Sequence, residues 1–295
     1  MNIFDSIKMN FRTGNALTKL IYINAAIYIA LQAILIIFRL FNISIYGIID
    51  YFTLPADLHE LILRPWSLVS YMFLHSEFFH ILFNMFALYW FGKLFLMFYS
   101  EKQLVGLYIV GGLIGAAFYI GAFNLFPYFK TAVDNATVLG ASGSIMAIIV
   151  ATAIQSPNME MRMLFVGNIK LKYIATIAVL MSFFGITSNN AGGEIVHLGG
   201  ALAGYIFIVS LRQGKDFTTG ISRILDSFVN LFKPRKLRVK SNKNPRNTKM
   251  SDAEFNMNKA KRMDEINRIL DKIKTSGYDS LSTDEKKRLF EQGKN

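Results

Sequence analysis

Gly140-Ala141-Ser142-Gly143-Ser144 heads an apolar run that continues Ile145-Met146-Ala147-Ile148-Ile149-Val150. A serine among small residues at the start of such a helix is a candidate nucleophile. The helix it opens is too apolar to face water on any side. Runs of the same character recur at about 17–38, 77–98, 103–123, 172–187 and 194–211, with this one at about 141–155. They are on the scale of the roughly 20 residues that cross about 30 Å of hydrocarbon at about 1.5 Å per residue. The expected fold is therefore an all-α membrane protein, a bundle of six transmembrane helices with a small helical cytoplasmic tail.

Composition agrees. Of 295 residues 53% are hydrophobic, more than an ordinary soluble domain carries. Cysteine is absent, which excludes disulfides, thiolate catalysis and cysteine metal sites. Lys8 and Arg12 precede the first run, but that run is span-length and lacks a small-residue cleavage site, so it reads as a retained span rather than a signal peptide.

The net charge of +12 is unevenly spread. Residues 213–295 carry 20 Lys/Arg against 11 Asp/Glu, a net of +9; the first 212 carry 12 against 9, a net of +3. A basic tail beside a last span reads as cytoplasmic and attracted to anionic headgroups. No nucleic-acid motif accompanies it. With the N-terminus inside, the inner short loops hold Lys8, Arg12, Lys19, Lys93, Lys102, Arg162, Lys170 and Lys172, and the outer ones only Arg39, Arg64 and Lys130. Both termini are thus expected in the cytoplasm.

Four parts follow: a polar-amphipathic lead over 1–16, the six-span domain over 17–212, an amphipathic segment and basic linker over 213–250, and a small helical extension over 251–295. Residues 39–66, with Tyr46, Tyr51, Phe52, Pro55, Pro65 and Trp66, read as an interfacial, partly helical segment. Residues 124–139 and 156–171 read as loops. Gly111 and Gly115 on span 3 form a small-residue face for close helix contact. In the tail, Phe255, Met263, Ile266, Ile269, Leu270 and Ile273 keep a helical period, and Ser282-Thr-Asp-Glu285 signals a second helix start.

The chain has four histidines, and two of them, His80 and His197, fall inside spans. An ionisable residue there is a functional-site hypothesis by default. His80 and Asn84, spaced i, i+4, share one face of span 2. Ser142 lies about one turn into span 4 and His197 one turn into span 6. Spans 2, 4 and 6 all start on the same side of the membrane, so the four polar groups share a depth. Ser142 needs a base, which neutral His197 can supply. The His80 ring N–H, the Asn84 amide and the Ser142 backbone N–H can receive an oxyanion, aided by the helix dipole of span 4. No acid lies near Ser142 in sequence. Glu194, one turn before His197, falls at the expected interface, so no third member is evident and a Ser-His dyad is read. Gly143, Ala147 and Ala151 form a seam on span 4, and Gly200, Ala201 and Gly204 one on span 6. Packing these together would bring Ser142 within hydrogen-bond reach of His197. Gly140 belongs to the same supporting set.

Each feature alone has a plainer reading. A serine after glycine in a span is usually a capping or packing residue, an asparagine usually interhelical glue, and a histidine beside glycines can belong to a transport pathway. The coincidence of depth favours catalysis over these. A transporter or channel would need polar groups along a whole pathway, and spans 3 and 5 offer almost none. His59 reads as interfacial and His75 as a hydrogen-bonding support. No metal-ligand cluster or cofactor motif appears.

The stretches His80-Ile-Leu-Phe-Asn84, Gly140-Ala-Ser-Gly143 and His197-Leu-Gly-Gly-Ala-Leu-Ala-Gly204, in that order, resemble the rhomboid family of intramembrane serine proteases. The resemblance covers roughly residues 17–212. It implies a six-helix rhomboid bundle, Ser142 as nucleophile, His197 as base and His80 and Asn84 as oxyanion residues. It implies transmembrane protein substrates, cut in or near an unstable membrane helix after a small residue. Residues 39–66 would be the family's membrane-dipping first loop and span 5 its substrate gate. Two positions depart from the family pattern. Met146 stands where many members have an aromatic beneath the histidine, and Trp66 precedes Ser67 where Trp-Arg is common. The stretch 276–290 is similar to a C-terminal extension of some bacterial members, whose partner the sequence does not name. The implied setting is a bacterial inner membrane. The alternative is a catalytically inactive relative that binds membrane clients.

Overall fold

The structure, a computed structural model, describes residues 2–43, 46–163, 167–221, 223, 227 and 252–292. The chain divides into two units, Met1–Lys233 and Pro234–Asn295.

In the first unit, α1 (Ile3–Thr13) leads into α2 (Ala16–Leu40). Asn15 caps α2, its side chain accepting the Thr18 backbone N–H at 3.0 Å. Then come α3 (Tyr46–Asp50), the two-residue strand β1 (Leu54–Pro55), α4 (Leu58–Leu63), α5 (Ser67–Ser70), α6 (Phe78–Phe95) and α7 (Glu101–Leu125). Ser100 and Gln103 form a capping box at the start of α7. They are followed by β2 (Thr137–Val138), α8 (Ser142–Gln155), β3 (Glu160–Met163), β4 (Gly167–Lys170), α9 (Leu171–Phe184) and α10 (Ala191–Arg212).

Four helices among the described residues are long and apolar enough to cross a bilayer: Ala16–Leu40, Phe78–Leu96, Glu101–Leu125 and Ala191–Arg212. The apolar helices α8 and α9 have 14 residues each, about 21 Å of rise. Both lie over the short runs expected at about 141–155 and 172–187.

Three segments differ from the expected outline. The lead contains helix α1. Residues 156–171, expected as a loop, hold an antiparallel ladder pairing Glu160 with Lys170 and Arg162 with Asn168. Within 124–139, also expected as a loop, Thr137–Val138 pairs with Leu54–Pro55. Of the amphipathic segment and basic linker expected over 213–250, residues 222, 224–226 and 228–250 lie outside the described residues.

The core is built on backbone contact between three helices. α10 packs chiefly on α8 and α7. A Cβ placed on Gly200 would lie 2.0 Å from the Gly143 carbonyl oxygen, and one on Gly204 would lie 2.3 Å from that of Ala147. On α7, a Cβ at Gly111 would meet Ala147 Cβ at 2.6 Å, and one at Gly115 would meet the Val196 carbonyl oxygen at 2.8 Å. Dispersion between close-packed surfaces holds helices together where lipid removes the hydrophobic drive. Buried polar ties supplement it. Asn24 is fully buried and donates to the Tyr108 hydroxyl at 3.3 Å, which donates to the Met72 carbonyl at 2.9 Å. The Tyr71 hydroxyl donates to the Gly112 carbonyl at 2.7 Å. An unpaired group in hydrocarbon would cost several kcal/mol, so such ties fix register as well as adding stability.

In the second unit, the helices Asp252–Ser276 and Thr283–Gln292 are joined through Gly277, whose φ is +74°. The Ser282 hydroxyl accepts the Glu285 N–H and the Glu285 carboxylate accepts the Ser282 N–H, a capping box. Ile269 and Leu281 are buried within it.

Candidate active site

The head of α8 is held by the loops around it. The β1–β2 pair is extended by the Ala56 N–H donating to Ala136 at 3.0 Å, and Gly140 N–H donates to the Tyr71 carbonyl at 2.9 Å. Gly140 has φ +132°, a region open to glycine and strained for other residues. A side chain there would also strike His80, its Cβ 2.9 Å from Nε2. Gly140 thus lets the His80 ring close over the turn that delivers Ser142.

A cavity of about 510 Å³ opens between α6, α8 and α10. Ser142 and Met146 from α8, His80 and Asn84 from α6, and His197 from α10 line it. Met146 is buried, a thioether in the wall that His197 shares. Gly143 lies behind, where a Cβ would meet Val196 Cγ1 at 2.5 Å. Gly200 and Gly204 set the spacing of α10 from α8, as described above.

The polar groups are oriented as follows. His80 Nδ1 stands 3.5 Å from Ser76 Oγ, which leaves Nε2 toward Gly140. The Asn84 amide donates one N–H to its own helix, at the His80 carbonyl, 3.0 Å away. A primary amide has a second N–H. His197 Nδ1 is 3.1 Å from Ser182 Oγ on α9 and 3.3 Å from Glu194 Oε2 on its own helix. Among the described residues no hydrogen bond joins Ser142 to His197, where the sequence reading expects one. The helix spacing is not the cause, since the two backbones already touch at glycine. The ring is instead held from its Nδ1 side, by α9 and by the turn of α10 before it.

His75 is buried against His80, ring centroids 5.1 Å apart, and among the described residues neither of its ring nitrogens is hydrogen-bonded. It supports the site by packing, not through the hydrogen bond expected from sequence. Burial first, then the nearby His80, push its pKa down to about 4, with the Phe73 backbone offsetting part of that. His75 is therefore neutral near pH 7. His59 is exposed on α4.

A hydroxyl at a helix head, an imidazole lining the same cavity with its Nδ1 anchored, and a ring nitrogen and amide on the same cavity are suited to acyl transfer. Sequence reasoning missed Ser182 and set Glu194 aside. The signal for Glu194 was its i, i+3 spacing from His197; Ser182 carries no local signal, because its partner is 15 residues away.

Comparison with known proteins adds the family. The model described as Rhomboid domain matches residues 63–214, just over half of the chain. A second, described as a family of unknown function (DUF6576), matches residues 250–295. RHOMBOID-like protein 12, mitochondrial, of Arabidopsis thaliana is 26% identical over 167 residues, covering 52% of this chain and 48% of that protein. The chain thus spans about half the length of this curated relative. The matched region contains the cavity, the three glycine-packed helices and every residue lining the site, and the chain belongs to the rhomboid family.

Proposed function

We propose that the chain is an intramembrane serine endopeptidase that cleaves transmembrane segments of membrane proteins. The observation that carries this is the single cavity shared by Ser142, His197, His80 and Asn84. His197 takes the Ser142 proton through Nε2 as the hydroxyl oxygen attacks a peptide carbonyl. The resulting oxyanion is received by the Ser142 backbone N–H, the His80 ring and the Asn84 amide. His197 then protonates the leaving amine, and water releases the acyl group in a second round. Met146 fills the wall beside the imidazole, and Gly140, Gly143, Gly200 and Gly204 provide the close approach that aligns these groups. The absence of a Ser142–His197 hydrogen bond is compatible with this, since catalytic hydrogen bonds tighten as the substrate binds.

The setting is a bacterial inner membrane crossed six times, α8 and α9 included, with both termini cytoplasmic. A helix of about 21 Å in about 30 Å of hydrocarbon leaves its head some 9 Å below one face. That puts Ser142 at the bottom of a recess, reachable by water and by an unwound substrate helix. Residues 17–212 form the protease domain, and residues 251–295 dock a partner the sequence does not name.

The absent Ser142–His197 hydrogen bond favours one other reading, a rhomboid-like protein that binds membrane clients without cutting them. Cleavage of a reporter transmembrane substrate in liposomes separates the two. The proposal expects cleavage by the wild type and none by Ser142→Ala; equal turnover by both, or none by either, rejects it.

A further inference from the structure

We infer that Glu194, acting with Ser182, is the positioning residue for His197, so that the chain operates a carboxylate–imidazole–hydroxyl relay rather than an unsupported pair. This rests on the proposed roles of Ser142 and His197.

Four observations support it. Glu194 Oε2 lies 3.3 Å from His197 Nδ1, with both side chains about four-fifths buried at 22% and 20% exposure. Ser182 Oγ lies 3.1 Å from the same nitrogen and is itself buried. Ser182 and Asn190 are polar neighbours that act on the Glu194 carboxylate. Finally, Gly185, just past the end of α9, leaves room for that side chain; a Cβ there would lie 2.8 Å from Glu194 Cγ. Glu194 does not line the cavity. Its carboxylate meets the ring at Nδ1.

The direction of the protons follows from the inventory of donors. An ionised carboxylate only accepts, a hydroxyl both donates and accepts, and a neutral imidazole has one of each. If the ring carried its proton on Nε2, the Nδ1 lone pair would face a carboxylate lone pair at 3.3 Å. With the proton on Nδ1, the ring donates to Glu194 or to Ser182, whose own proton then goes to Glu194. Every group is satisfied, and Nε2 is left as the acceptor for the Ser142 proton. When His197 takes that proton, the imidazolium forms beside a negative charge in a low-dielectric site. The other charged or titratable groups lining the cavity are His80 and Glu77; among the described residues no Lys or Arg lines it.

The test compares the full chain with Glu194→Gln, Ser182→Ala and Gly185→Ala. The first removes the charge at constant size; the last displaces the carboxylate with all four polar groups intact. In the reporter assay, Glu194→Gln is expected to lose about tenfold to a hundredfold in kcat at unchanged KM. A fully buried triad carboxylate is worth about 10⁴, and this one is partly exposed. Gly185→Ala is expected to lose less, in the same direction. The second readout needs no activity. Histidine ¹⁵N spectra in micelles, with His197 assigned by its loss in His197→Asn, should show the Nδ1–H tautomer in the wild type and a mixture in Glu194→Gln. An unchanged tautomer with wild-type kcat overturns the inference while the protease reading stands. A chain that never cuts but shows the tautomer change keeps the relay and rejects the protease. If Glu194→Gln does not fold, the same two readouts on Gly185→Ala decide, and no change in either overturns the inference.

Discussion

Replacing Gly200 by alanine tests the packing on which the site depends. The added Cβ would stand 2.0 Å from the Gly143 carbonyl oxygen, whereas ordinary contact begins at 3.4 Å. Neither atom belongs to a flexible side chain, so the strain is relieved only if α10 withdraws from α8 by about 1.4 Å. Two costs follow. Overpacking of this kind destabilises by about 1–3 kcal/mol. His197 lies one turn earlier on the same helix and moves with it, and a displacement of about 1 Å at a reacting group can cost about 10² in rate. Gly200→Ala is therefore expected to insert into the membrane, to unfold at lower temperature or denaturant, and to lose about a hundredfold in turnover of a reporter substrate. Leu202→Ala, on the partly exposed side of α10, is the control and should change neither. Wild-type stability and turnover in Gly200→Ala would refute the close-contact argument. Loss of stability with full turnover would refute the link between helix spacing and the site.

Three further outcomes follow from the same geometry. Gly140→Ala forces a side chain into φ +132° and against His80, and should cost about 1–3 kcal/mol and most of the turnover, measured by thermal unfolding and by reporter cleavage. Ser144 Oγ is buried with no hydrogen-bond partner among the described residues, so Ser144→Ala should leave turnover unchanged and raise stability by about 1 kcal/mol; a loss instead would mean a partner exists. His75 has a folded pKa lowered to about 4 from an unfolded value of about 6.5. The stability tied to its neutral form is complete above about 6.5, falls as pH drops below that, and is gone near 4, a loss of at most about 3 kcal/mol. Unfolding between pH 7 and 4 should therefore steepen with acid in the wild type and less so in His75→Phe, and equal slopes would contradict the assignment.

The helices and the site differ in how much the sequence revealed. Long apolar runs such as 17–38 and 103–123 were legible because hydrocarbon demands an unbroken helix, and α2 and α7 lie over them. The brevity of α8 was legible too, since the apolar run of about 141–155 ends at the polar residues from Gln155 to Asn158, and the helix Ser142–Gln155 matches it. The hairpin over 160–170 was legible in principle, since Met159-Glu-Met-Arg-Met163 alternates with period two. Its polarity gives it the look of a loop. The pairing of Leu54–Pro55 with Thr137–Val138 leaves no local trace, because it joins segments more than 80 residues apart. Asn24 is one polar residue within the apolar run 17–38, and only the structure pairs it with Tyr108. His80, Asn84, Ser142 and His197 were found through shared depth, a property of helix starts and alternating direction. Depth says nothing of ring orientation, which is why the Ser182 and Glu194 contacts, and the missing Ser142–His197 hydrogen bond, came from coordinates.

The most direct measurement is covalent labelling of the intact chain in liposomes with a fluorophosphonate, followed by peptide mapping. The account predicts one adduct, on the Ser142 hydroxyl, that disappears in His197→Ala although that variant remains folded and inserted. An adduct on a different hydroxyl in a chain that still cleaves its substrate, or labelling of Ser142 that persists at the same rate without His197, would contradict it.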